Sequence, residues 1–94
     1  MVIGTAQISI YFGEAHSLKE KRTIVQSLVN RLRNKFNAAI AEIADQELWQ
    51  KATIGVAVIG GSASHADSQL QAIVNFVESD PRVRIGEVET ELYR

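Results

Sequence analysis

The side chains with the clearest chemical potential are six cations that lie between residues 19 and 35. Ammonium and guanidinium groups gathered on one segment bind phosphates, so this segment is a candidate contact for RNA. The acidic residues gather elsewhere, and the net charge of −1 gives the whole chain no general attraction for nucleic acid. The predicted nucleic-acid contacts are Lys19, Lys21, Arg22, Arg31, Arg33 and Lys35.

Lys19 and Arg31 point well away from the apolar stripe of their helix, whereas Lys21 and Arg22 lie within roughly 60° of it. Their stems could cover the edge of the core while their charged ends reach water. They could instead help to hold an anion at the helix start, where backbone N–H groups point outward. A third interpretation is an internal ion pair. The sequence leaves the three open.

A second candidate site combines the starts of two helices. We expect the first and third strands to be parallel neighbours, which would bring together the loops that leave them. Two helix N-termini beside Gly60-Gly61 and serine hydroxyls would make a cradle for a small anion, although these glycines match no phosphate-binding fingerprint. The predicted anion-binding residues are His16, Lys21, Arg22, Gly61, Ser62, Ser64 and His65.

Catalytic chemistry has little support in the sequence. His16 and His65 could bind a divalent metal together with Glu14 or Asp67, but two histidines from separate loops are more often surface residues. Neither histidine has an obvious orienting partner for acid–base catalysis. No nucleophile motif occurs, and the chain has no cysteine. We therefore predict no catalytic residue, no metal and no cofactor.

The helix that carries the cations is the clearest local signal in the chain. Ser17 followed by Glu20 forms a capping box, which marks the helix start. The apolar residues that follow share one stripe at 3.6 residues per turn, so the helix must lie on a flat apolar surface. The stripe consists of Leu18, Val25, Leu28, Val29, Leu32 and Phe36.

Four other segments alternate or are apolar in the manner of strands, at residues 2–12, 38–44, 53–60 and 83–93. A second helix begins at a cap provided by Ser62 or Ser64 and ends at Asp80-Pro81. The apolar parity switches near Ala41-Glu42 and at Gly86, which predicts a β-bulge at each place.

This order of elements, β-α-β-β-α-β, predicts an α+β fold in a single domain over residues 1–94. We expect a ferredoxin-like sandwich with a four-stranded antiparallel sheet, strand order 4-1-3-2, and both helices on one face. The other sheet face then has no helix to cover it.

The uncovered sheet face is a candidate interface. A base-stacking RNA platform needs aromatic residues on the two central strands, and only Tyr11 qualifies. Small, mildly apolar side chains suit a second protein surface instead, including another copy of the chain. Trp49 either closes the end of the sheet or binds a partner. The predicted interface residues are Gln7, Ser9, Tyr11, Gly55, Ala57 and Trp49.

The N-terminal segment is too polar and too regularly alternating for a signal peptide, and no apolar run approaches the length of a membrane span. We therefore expect a cytoplasmic protein without a membrane partner.

The chain resembles the YlxP-like family of small bacterial proteins, a domain of unknown function. The matching segments are His16-Ser17-Leu18-Lys19-Glu20-Lys21-Arg22, the segment 41–52 around Leu48-Trp49, and the strand Ile54-Gly55-Val56-Ala57-Val58. The resemblance covers nearly the whole chain and implies a ferredoxin-like fold. Because genes of this type lie among translation genes in some bacteria, it also hints at a ribosome-linked role. It brings no catalytic residue.

Three functions follow from these observations. We expect a non-catalytic accessory module that binds RNA or a ribonucleoprotein, such as the ribosome, through the basic first helix. The alternative is a homo-oligomeric interaction module that uses the open sheet face. Small-anion binding at the two helix starts ranks third.

Overall fold

The computed structural model describes residues 1–13 and 15–94, and Glu14, one of the carboxylates considered for metal binding, lies outside them. Six elements follow one another in the predicted order. They are β1 (Val2–Tyr11), α1 (Leu18–Lys35), β2 (Ala39–Ala44), β3 (Lys51–Gly60), α2 (Ala63–Glu78) and β4 (Arg84–Tyr93). No helix in these two ranges combines the length and the apolar character that crossing a membrane requires.

The four strands form one sheet in the order β2-β3-β1-β4, and every neighbouring pair is antiparallel. Residues of the two helices and of one sheet face share one hydrophobic core. The predicted α+β fold, a ferredoxin-like βαββαβ sandwich with strand order 4-1-3-2, is therefore confirmed.

The expectation that the first and third strands are parallel is wrong. β1 pairs with β3 in antiparallel register, with Val2 opposite Gly60 and Tyr11 opposite Lys51. In this topology each helix joins two strands of the same direction that are separated by a third strand. The sheet therefore has a Tyr11 end, where β1 finishes and α1 begins, and a Gly60 end, where β3 finishes and α2 begins.

The core lies between the helices and the alternating residues of the two central strands. Ile8 and Ile10 of β1 and Ile54 of β3 have no exposed surface, and neither do Leu28 and Leu32 of α1. Burying a side chain of this size contributes roughly 1.5–3 kcal/mol. One apolar stripe on each helix and one apolar sheet face thus account for the packing.

Both helix starts are capped by serine. Ser17 Oγ accepts a hydrogen bond from the backbone N–H of Glu20 at 3.2 Å, and the Glu20 carboxylate accepts from the N–H of His16 at 2.7 Å. The predicted capping box is thus present with its return bond displaced by one residue. At α2 the cap is Ser62, whose Oγ accepts from the N–H of His65 at 3.1 Å.

The bulge predicted at Gly86 is confirmed. Val88 lies opposite Ile8 and Ile85 opposite Ile10, so β4 places one extra residue between these pairs. A Cβ atom at Gly86 would collide with the ring of Tyr11. In β2 the register shifts between Glu42 and Ala44, slightly later than predicted.

Candidate functional site

The strand register places five predicted interface residues on the uncovered sheet face. Gln7, Ser9 and Tyr11 alternate with the buried residues of β1, and Gly55 and Ala57 lie opposite residues of the same set. Ala39 and Ala41 of β2 join them through their pairing with Ala57 and Gly55. The open face, as used below, consists of Ile3, Thr5, Gln7, Ser9, Tyr11, Ala39, Ala41, Ile43, Gly55, Ala57 and Ile59.

No residue of this set carries a formal charge, and the charged residues on the same side of the sheet lie at its margins: Lys51 at the start of β3, and Arg84, Glu89 and Glu91 on the edge strand β4. Two large apolar side chains of the open face project into solvent, since Ile59 is 63% exposed and Ile43 is 46% exposed. Solvated sheet faces are normally polar, whereas the centres of protein interfaces are depleted of charged residues. The composition of the open face is therefore that of a contact surface.

The Tyr11 end of the open face carries an apolar projection. Leu48 and Trp49 are 49% and 42% exposed, so Trp49 is a surface residue and does not close the core. Both line a small groove of about 240 Å³ with Tyr11 and Lys51, whose side chains belong to the open side of the sheet. Leu48 and Trp49 together are named the Trp49 projection.

The Gly60 end of the open face carries an apolar groove. Its volume is about 330 Å³. It lies beside the start of β2, the start of β1 and the end of β3. This Ile59 groove is lined by Ile3, Asn37, Ala38, Ala39, Ala57 and Ile59.

Lys21 has no exposed side-chain surface. Its Nζ donates to the carbonyl oxygen of Asp45 at 2.7 Å, and it lies 3.2 Å from Glu42 Oε2 and 3.5 Å from the carbonyl oxygen of Gln46. The two carbonyl oxygens accept hydrogen bonds from the ammonium group, and Glu42 balances its charge as an ion pair without a hydrogen bond to Oε2. Of the three interpretations, the internal ion pair is correct, and the prediction that Lys21 contacts RNA or an anion is wrong.

The Lys21 contacts fix the loop that carries the Trp49 projection. Asp45 begins this loop with a positive φ of 65°, a conformation that Asp tolerates better than most residues. Its Oδ2 accepts from Thr53 Oγ1 at 2.7 Å, and its carbonyl oxygen also accepts from the N–H of Leu48 at 3.1 Å. At the end of the loop, the carbonyl oxygen of Gln50 accepts from the N–H of Phe12.

Three more of the predicted nucleic-acid contacts are engaged within the protein. Arg33 donates twice to the carbonyl oxygen of Ile40, from Nε at 3.1 Å and from Nη2 at 2.6 Å. Lys35 Nζ lies 5.4 Å from the centre of the Phe76 ring. Arg31 donates to Asp80, as described next. Arg31, Arg33 and Lys35 are nevertheless exposed, as are Lys19 and Arg22, so Lys21 is the one buried residue among the six cations.

Asp80 is a buried anion between the two helices. Its carboxylate accepts from Arg82 Nη2 at 2.8 Å and from Arg31 Nη2 at 2.6 Å. The hydrogen bonds from Arg82, followed by the bond from Arg31, hold the pKa of Asp80 well below its usual range, and the same pairing raises the pKa of Arg82. This cluster ties the end of α2 to α1.

The predicted anion cradle does not form. His16, Lys21 and Arg22 lie at the Tyr11 end, whereas Gly61, Ser62, Ser64 and His65 follow β3 at the Gly60 end. A ten-residue strand, about 33 Å long, separates the two groups. The error follows directly from the wrong strand direction. Within residues 1–13 and 15–94, no three His, Cys, Asp or Glu side chains are grouped as metal ligands.

Two comparisons with known proteins agree with each other. A family model described as "Protein of unknown function (DUF503)" matches residues 3–90. The "Uncharacterized protein YlxP" of Bacillus subtilis (strain 168) is 34% identical over 92 residues, which cover 98% of this chain and 100% of that relative. The resemblance seen in the sequence is thereby confirmed, and the chain belongs to the DUF503 family.

Proposed function

We propose that the protein is a non-catalytic interaction module and that its open face joins two copies of the chain. The observation that carries this proposal is the uncharged open face, with Ile43 and Ile59 projecting from it. Its centre consists of small residues such as Ser9, Ala41 and Ala57, which allow a second sheet to approach closely.

The size of the open face supports this proposal. The three ten-residue strands β1, β3 and β4 are about 33 Å long, β2 has six residues, and the four strands together span about 19 Å, so this side of the sheet, with β4 as its acidic edge, offers at most about 600 Å² per copy. Two copies would then bury up to about 1,200 Å², the lower end of the range for specific protein complexes. The projecting loop and side chains add to this area.

The basic surface of α1 supports RNA binding less strongly. Lys21 is buried, and Arg31, Arg33 and Lys35 make contacts within the protein. Lys19 and Arg22 lie exposed at the helix start, while the exposed side chains of Arg31, Arg33 and Lys35 are partly occupied by these internal contacts. A small anion could meet only one of the two helix starts, because these lie at opposite ends of the sheet.

The proposal is tested by light scattering on a size-exclusion column over a dilution series. We expect the wild type to elute at twice the 10.4 kDa chain mass and to dissociate on dilution. Ile59→Glu should be monomeric because it places a charge in the apolar part of the interface at the Gly60 end. The matched control is Gln71→Glu, an exposed position on α2 away from the open face, which should leave the dimer intact.

A wild type that remains monomeric at millimolar concentration would refute the dimer. Ribosome cosedimentation at low and high salt then tests the alternative. If the wild type binds the ribosome in a salt-sensitive manner and the Lys19→Glu/Arg22→Glu variant does not bind, the function would be RNA binding through α1. Lys21 must stay unchanged in that experiment, because its substitution would disrupt the fold.

A further inference from the structure

The two ends of the open face are complementary to each other. The Trp49 projection lies at the Tyr11 end, between the end of β1 and the start of β3. The Ile59 groove lies at the Gly60 end and is lined by residues of the same two strands and the segment before β2. Ile3 and Tyr11 are eight positions apart on β1, so a distance of about 27 Å separates the two features.

A two-fold rotation brings these two features together. If the axis lies between two facing sheets and runs perpendicular to the strands, each strand lies over its own counterpart with its direction reversed. The Tyr11 end of one copy then faces the Gly60 end of the other. Such an interface is isologous, so a contact made once is made twice.

We infer that the Trp49 projection of each copy packs into the Ile59 groove of the other copy. This inference rests on the proposed homodimer and specifies its geometry. The axis passes near Gln7 and Gly55, the pair midway between the two features. Ile43 packs its side chain over Gly55 and lies close to the axis.

The fixed loop makes Trp49 suitable for this contact. The loop is bonded to the buried ammonium of Lys21, to Thr53 and to Phe12, so little conformational entropy is lost when Trp49 is immobilised. Tryptophan is also one of the residue types enriched among those that dominate binding energy. A buried charge is costly unless it is well paired. The buried ammonium of Lys21 orders the loop, while Leu48 and Trp49 at the tip of this loop stay exposed.

The acidic residues of β4 give the arrangement a salt dependence. Glu89 and Glu91 lie beside Gln7 and Thr5 on the open side of the sheet, at its outer edge. Because β4 lies over its counterpart, the two acidic rows approach each other at the rim of the interface. Added salt screens this repulsion, so the dimer should tighten as salt rises, opposite to the salt response of an RNA complex.

A complementation experiment tests the contact, using the single Trp of the chain as its reporter. Trp49→Ala keeps the groove and loses the projection, whereas Ile59→Glu keeps the projection and loses the groove. Neither variant can make the contact with itself. Mixed together they can form a heterodimer with one intact contact, in which only the Ile59→Glu chain carries Trp49.

We expect the Trp emission of Ile59→Glu to shift to shorter wavelength when Trp49→Ala is added, and native mass spectrometry to detect the heterodimer. The double variant Trp49→Ala/Ile59→Glu should cause no shift, because it offers no groove. Ala57→Arg, which obstructs the groove without changing Ile59, should be complemented in the same way. Far-UV circular dichroism checks that each variant is folded.

The outcomes separate this inference from the proposed function. If the wild type dimerises but the mixture shows no emission shift and no heterodimer, the Trp49 contact is wrong and the open-face dimer stands. If the wild type is monomeric, both are overturned. A dimer that weakens with added salt would also contradict this arrangement of the two sheets.

Discussion

The two faces of the sheet are built from alternating residues of the same strands, yet they serve different purposes. Ala6, Ile8 and Ile10 of β1 are at most 2% exposed beneath the helices. Gln7 and Ser9, which lie between them in sequence, belong to the open face. The first set is apolar because it fills a core. The second is polar but uncharged, although solvent alone would permit charged side chains there.

Because of this difference, we expect the residues that stabilise the fold and the residues that mediate association to lie on opposite faces of the sheet. Substitutions on the helix-covered side should lower the free energy of unfolding and leave the open face intact once the protein is folded. Substitutions on the open face should change association and have little effect on the folded monomer. The following experiments test how complete that separation is.

Replacing Lys21 by Ala should have the largest effect, a loss of about 3–5 kcal/mol in the free energy of unfolding. The substitution leaves the Glu42 carboxylate and two loop carbonyl groups without their buried partner. Urea denaturation followed by far-UV circular dichroism measures the loss.

The matched control is Lys19→Ala, an exposed position two residues earlier, which should change stability by less than about 0.5 kcal/mol. Equal effects of the two substitutions would mean that the Lys21 contacts contribute nothing. The double variant Lys21→Met/Glu42→Gln should recover part of the loss, because it removes both charges together.

Ile54 and Ile59 test the two faces within one strand. Ile54 has no exposed surface and Ile59 is 63% exposed. Ile54→Ala should cost about 2–5 kcal/mol because it leaves a cavity in the core, whereas Ile59→Ala should cost less than about 0.5 kcal/mol. Denaturation is measured at protein concentrations below the dissociation constant of the proposed dimer, so that the stability of the monomer is compared. A comparable loss for Ile59→Ala would show that the open face is part of the core.

Asp80→Asn tests how much the ion-pair cluster between α1 and the end of α2 contributes to stability. We expect the free energy of unfolding to fall by about 1–3 kcal/mol at neutral pH. Because folding lowers the pKa of Asp80, its contribution is complete above the unfolded-state value of about 3.9 and declines as pH falls toward the lower folded-state value. The difference in stability between wild type and variant should therefore stay constant near neutral pH and shrink below about pH 4. A difference that grows with acidity would contradict this account.

Much of the fold could be predicted because its signals are local. The Ser17 cap, the apolar stripe of α1 and the parity switch at Gly86 each depend on residues within a few positions of one another. The same alternation defined the open face and located Gln7, Ser9 and Tyr11 on it. Periodicity reports which residues share a face, and this information was sufficient for those features.

The errors concern partners that are distant in the sequence. Alternation is identical whichever way a strand runs, but the predicted antiparallel sheet, with β1 beside β3, already required these two strands to run in opposite directions, so treating them as parallel was an error. That error assembled the false anion cradle. Lys21 looked like a surface cation because its partners lie later in the chain, in β2 and the loop that joins β2 to β3. These partners are Glu42 and the carbonyl groups of Asp45 and Gln46.

The burial of Lys21 also has a chemical consequence. Lysine is modified through its neutral amine, which must meet the reagent or the acetyl donor in solution. The chain has four lysines, and Lys21 is the one whose side chain is fully buried. Acylating reagents should therefore modify Lys19, Lys35 and Lys51 of the native protein first. The rate at which Lys21 is labelled then reports how often α1 separates from the loop that holds Trp49.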